Sequence, residues 1–135
     1  MPLLPLLLAL AAPDPLRITD GWVRATPPGA PTAAAYLSVE NTGRAADRLT
    51  ALSSPDAARV EMHAMDMSGG VMRMRPMTGG APVPAGGRLD LQPTGGRHIM
   101  LIAPKRRLVN GDRVTAALTF ERAGTRVVTL PVRAR

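Results

Sequence analysis

Between Leu16 and Val132 the chain alternates in short bursts, rarely longer than eight residues, of apolar and polar side chains. Such a period of two is that of half-buried strands. It predicts strands over Leu16 to Arg24, Ala33 to Asn41, Asp47 to Leu52, Ala58 to His63, Gly70 to Met77, Arg88 to Gln92, Arg97 to Ala103, Arg113 to Glu121 and Thr125 to Val132. Turn chemistry separates them: Pro27-Pro28-Gly29, Asn41-Thr42-Gly43, Ser68-Gly69-Gly70, Gly79-Gly80, Gly86-Gly87, Gly95-Gly96, Asn110-Gly111 and Ala123-Gly124. Seven to nine strands at this spacing predict an all-β Greek-key sandwich. No internal repeat or domain-length linker interrupts it, so one domain is expected.

Alternation also assigns faces. In Ala58 to His63, the residues Ala58, Val60 and Met62 form an apolar set, and Arg59, Glu61 and His63 point the other way. His63 is therefore predicted outside the main core. In the strand beginning at Arg97, His98 and Met100 share a face about 6.6 Å apart, at a rise of about 3.3 Å per residue. The turn Asp66 to Gly70 brings the following strand back alongside, so that Met74 approaches His63. Met72 shares the face of Met74, and spacing alone leaves the choice between them open.

Composition changes the picture in three ways. The first eleven residues, MPLLPLLLALA, carry no charge and end in small residues, as an export signal does, although no Lys or Arg precedes them. The expected organisation is a signal over 1–11 and a mature domain over 12–135, with no stable membrane insertion afterwards. Cysteine is absent. That excludes disulfides, thiolate nucleophiles, iron–sulfur clusters, cysteine zinc sites and blue-copper centres, and gives a lipid anchor no cysteine to occupy. The net charge of +7 is spread over scattered arginines, with Lys105-Arg106-Arg107 as the one run. With only Trp22, Tyr36 and Phe120 as aromatics, the stacking platforms of a nucleic-acid binder are missing, and the charge reads as a solvated surface. Trp22 reads as a core or edge anchor.

The candidate chemistry lies in Val60 to Met77 and in Arg97 to Met100. Six of the eight methionines and one of the two histidines fall in the first segment, and the second histidine lies two residues from Met100. Thioethers are soft neutral ligands that favour Cu(I), and imidazole serves copper in either oxidation state. Met62 and Met77 read as core filler, Met65 and Met67 as exposed loop residues or an entry route for the ion. Glu61 and Asp66 read as solvated charges in preference to carboxylates fixing the His63 tautomer.

His63, ten residues, Met74, twenty-three residues, His98, one residue, Met100 resembles the motif of the PCuAC family of periplasmic copper chaperones. The flanking segments Glu61 to His63, Gly70 to Pro76 and Gly95 to Leu101 support the match, which runs from Trp22 to Val132. The resemblance implies a cupredoxin-like or immunoglobulin-like β-sandwich. It also implies His63, Met74, His98 and Met100 as Cu(I) ligands, and a periplasmic, non-enzymatic monomer that carries the ion to an acceptor such as the Cu(A) subunit of cytochrome c oxidase. The chain ends without the His- and Met-rich tail some relatives use for Cu(II). Rival classes are a copper oxidase, for which a mature N-terminal histidine is lacking, and a metal-free interaction module with a methionine-rich surface.

Overall fold

A computed structural model describes residues 14–134; the expected signal over 1–11 lies outside the described residues. Ten strands follow one another: β1 (Leu16–Arg24), β2 (Thr32–Asn41), β3 (Asp47–Ser53), β4 (Ala57–Asp66), β5 (Arg73–Pro76), β6 (Ala81–Val83), β7 (Arg88–Leu91), β8 (Arg97–Pro104), β9 (Arg113–Phe120) and β10 (Gly124–Arg133). Hydrogen bonding links them in the order β5-β4-β8-β2-β1-β10-β9-β3-β6, with β7 also paired to β2. Every pairing is antiparallel except β1 with β10, where Val23 and Arg24 run beside Val132 and Arg133. The curled sheet closes over one core, the all-β sandwich that alternation predicts.

Two strands depart from expectation. β5 starts at Arg73 because Ser68–Gly70 forms a 3-10 turn in which Gly69 and Gly70 both adopt φ of 75°, a left-handed backbone that no strand accommodates. β6 was not expected, since Pro82 argues against a strand; it survives as the edge of the sheet, paired only to β3, where a missing N–H costs nothing.

The core is aliphatic. Val23, Leu37, Val39, Leu49, Leu118 and Phe120 are among its fully covered members, and Met62 is its one methionine, with Met77 packed at its margin. Burial of these apolar surfaces, at about 25 cal/mol per Å², drives the fold. Along β2, Ala33, Ala35, Leu37 and Val39 face inward, which turns Ala34, Tyr36 and Ser38 to the opposite face. β8 behaves likewise, with Ile99 and Leu101 inside. Ala58, expected on the inward set of β4, is exposed near the strand start.

β1 breaks its own alternation. Thr19 pairs with Ser38 but Trp22 pairs with Tyr36, so β1 carries one extra residue, and Asp20 takes φ of 54° at the bulge. Leu16 and Ile18 point toward the core before it and Val23 after it. Trp22 is thereby switched to the outer face, where its ring lies 4.8 Å from that of Tyr36.

Candidate metal centre

That outer face holds one cross-strand row. Trp22 pairs with Tyr36, Ala35 with Ile99 so that Tyr36 stands beside His98, His98 with His63, and His63 with Pro76. The ring centroids of Tyr36 and His98 are 6.3 Å apart and those of His98 and His63 are 5.8 Å apart. Two histidines separated by thirty-four residues in sequence thus form a directly opposed pair on adjacent strands.

The rows on either side supply sulfur. Met100 lies two residues beyond His98 on the same face and opposes Glu61. On the other side Met74 of β5 opposes Met65 of β4, one step diagonal from His63. Directly opposed side chains in an antiparallel pair have Cβ atoms about 4.5–5.5 Å apart and diagonal ones lie about 7–8 Å apart, within reach of a long flexible side chain. All four predicted site residues therefore share one face. Met72 precedes β5, has no register partner and is 61% exposed, against 42% for Met74. Among the described residues no three His, Cys, Asp or Glu side chains converge as a metal site, so an ion at the histidine pair would have to complete its shell largely with thioethers.

Both imidazoles are largely covered, His98 somewhat more than His63. His98 is 8% exposed, covered on one side by Tyr36, and burial together with the neighbouring His63 pushes its pKa below the ordinary 6.5. His98 is accordingly held neutral, the form that ligates metal. Nε2 of His63 lies 2.9 Å from Oε2 of Glu61. The hydrogen bond from His63, reinforced by Arg59 at 3.1 Å on the other carboxylate oxygen, holds the Glu61 carboxyl below its usual range. An ionised carboxylate accepts only, so Nε2 carries the proton and the lone pair of neutral His63 sits on Nδ1. Glu61 is thus a partner of His63 and not the solvated charge that sequence favoured; its position two residues away on the same strand face was the available signal. Asp66 pairs with Arg75 across β4 and β5. Trp22, which the sequence reads as a core or edge anchor or else as an aromatic beside the ion, reaches this face through a bulge with no signature beyond Asp20-Gly21, and Tyr36 carries no sequence signal for the site. Arg24 lies 5.6 Å from both ring centroids and closes that end of the row.

A glycine shapes the near end of β8. Gly96 adopts φ of 69° directly after a 3-10 turn at Pro93–Gly95, its carbonyl accepts the Met65 N–H at 2.7 Å, and a Cβ built there would stand 3.6 Å from that of Met65. The basic run ends up structural: Arg106 pairs with Asp56, and Arg107 donates to the Thr26 carbonyl.

Comparison with known proteins gives the family and the fold. The family model described as "Putative lipoprotein LpqE-like" matches residues 16–132. "Putative lipoprotein Lxx21020" of Leifsonia xyli subsp. xyli is 32% identical over 120 residues, which are 89% of this chain and 70% of that protein. Among solved structures, the copper-bound PCuAC domain from PmoF2 superposes with a TM-score of 0.74 at 26% identity, over 90% of this chain and 94% of that one. The Cu(I) form of DR1885 from Deinococcus radiodurans gives 0.68 at 29% identity, over 94% and 83% respectively. Its apo form gives 0.67 at 30% identity, over 90% and 80%. With the matched model spanning nearly every described strand and the solved folds agreeing with it, this chain belongs to the LpqE-like family, the PCuAC family.

Proposed function

We propose that the protein is an exported, non-enzymatic Cu(I) carrier, with His63, Met74, His98 and Met100 holding the ion as cargo. The observation that carries this reading is the opposed pair His63 and His98 on the outer sheet face, flanked on both sides by thioethers. Copper in the solved relatives supports it, as does their likeness across the whole domain. Two neutral imidazoles and two neutral thioethers leave the Cu(I) complex with a single positive charge, bound through ligands that exchange readily. A carrier needs release as much as capture, and none of these donors must take up a proton at neutral pH for release to occur.

In this reading residues 12–135 form the PCuAC domain behind a signal over 1–11. The mature protein works as a monomer in the periplasm and hands Cu(I) to an acceptor such as the Cu(A) subunit of cytochrome c oxidase. Competition with a chromophoric Cu(I) chelator is expected to give one tight site per chain. Replacing His63 with Ala or Met100 with Leu should weaken it by about tenfold or more, the loss of roughly 1.4 kcal/mol or more of binding. Wild-type affinity in both variants rejects the ligand assignment. Mixing the Cu(I)-loaded protein with an apo Cu(A) domain and following the acceptor's absorption tests delivery; an acceptor that stays colourless rejects it.

A further inference from the structure

Four methionines at this end of the molecule lie outside the core. Met65, Met67, Met72 and Met74 are 41%, 56%, 61% and 42% exposed and none belongs to the core. Flexible apolar side chains left in water around one sheet edge invite a chemical explanation. Only two of them are fixed by register: Met65 stands directly opposite Met74, in the closest cross-strand relation that two side chains on neighbouring strands can have.

We infer that Met65 is an additional sulfur donor which, with Met74, makes an outer Cu(I) position through which the ion enters and leaves the centre. The inference rests on the proposed reading of the site as a Cu(I) carrier. β4 continues three residues beyond His63, so Met65 is held in a strand and not in the loop that the sequence predicted for it. It lies on the face of His63, about 6.6 Å along the strand. Its neighbour on the β8 side is Gly96, just before that strand, which has no side chain to stand between the two sulfurs and solvent. Met74 belongs to both positions, so the ion moves by exchange: a bond to Met65 forms as a bond to His98 or Met100 breaks, and no electron or proton is transferred. With two thioethers and no imidazole, the outer position binds more weakly than the inner one and serves for transit.

Met65→Leu removes the sulfur and keeps the bulk; Met67→Leu, more exposed and outside the register, is the control. In stopped-flow transfer from the Cu(I)-loaded protein to a chelator, Met65→Leu is expected to slow transfer about tenfold, with equilibrium affinity within about threefold of wild type. In a titration with Ag(I), a redox-inert substitute, the methionine methyl NMR signal of Met65 is expected to move during the first equivalent together with those of Met74 and Met100, and by less, because the ion visits the outer position only in transit. A Met65 signal that stays put, or a transfer rate equal to that of wild type and of Met67→Leu, overturns the outer position while leaving the inner centre intact. A wild-type protein that takes up neither ion overturns both.

Discussion

His63 has one free nitrogen lone pair, and Glu61 decides which. The carboxylate takes the proton side of the ring at Nε2, and Arg59 keeps that carboxylate ionised and in place. Carboxylates that orient metal-binding imidazoles in this way contribute about 10–100-fold to affinity when their removal is measured. Nitrogen NMR of the metal-free protein is therefore expected to report the Nε2–H tautomer at His63. Glu61→Gln, which can donate as well as accept, should lose that preference and lower Cu(I) affinity about tenfold in chelator competition. An affinity that rises instead would mean that copper binds at Nε2 and Glu61 competes with it. Asp66 pairs with Arg75 on the surface nearby, and a pair of that kind contributes little to stability.

The element that organises this face is the bulge of β1. Gly21 sits in it with no room for a side chain: a Cβ there would lie 2.4 Å from Cδ2 of the buried Leu130. Gly21→Ala is expected to destabilise the protein by about 1–3 kcal/mol, the usual result of overpacking, and to change the near-ultraviolet signal of Trp22 as β1 shifts. An unchanged melting temperature would show that Leu130 moves aside freely. The same bulge marks where the sequence stops being legible. Strict alternation from Leu16 and Ile18 would put Trp22 in the core, and one inserted residue reverses that without changing any hydrophobic pattern. Where strands are regular the pattern reads directly: Met62 faces in and His63 out, and Ile99 in while His98 faces out, so the pairing of the two histidines follows once β4 and β8 are neighbours. Strand adjacency is a long-range fact that residue spacing does not encode. Nor does spacing encode the path of β4 through Met65, because its extension depends on the hydrogen bond that the Met65 N–H donates to the Gly96 carbonyl just before β8 and on pairing with β5, not on local propensity.

At the scale of the whole molecule, the buried imidazole ties copper chemistry to folding through pH. The folded protein keeps the pKa of His98 below the ordinary 6.5, chiefly by burial and then by the proximity of His63. The unfolded chain, with an ordinary histidine, therefore binds a proton at a higher pH than the folded one does. The contribution of His98 to stability is complete above about pH 6.5 and is lost as pH falls from there through the folded value. The paired carboxyls act lower: Asp14, held down by Arg126, and Glu61, held down by His63 and Arg59, start from ordinary values of 3.8 and 4.5 and withdraw their support only below those. The two windows open at different pH. Melting temperature measured on the metal-free protein should begin to fall as pH drops below about 6.5, before the carboxyls start to titrate, and His98→Gln should flatten that first part while leaving the acid limb below about pH 4.5 in place. Loading with Cu(I) should raise the melting temperature but steepen its fall and carry it to lower pH, because an imidazole whose lone pair is committed to the ion takes no proton in the folded state while the unfolded chain still does. A loaded protein whose stability follows the same pH course as the metal-free one would place the copper away from His98.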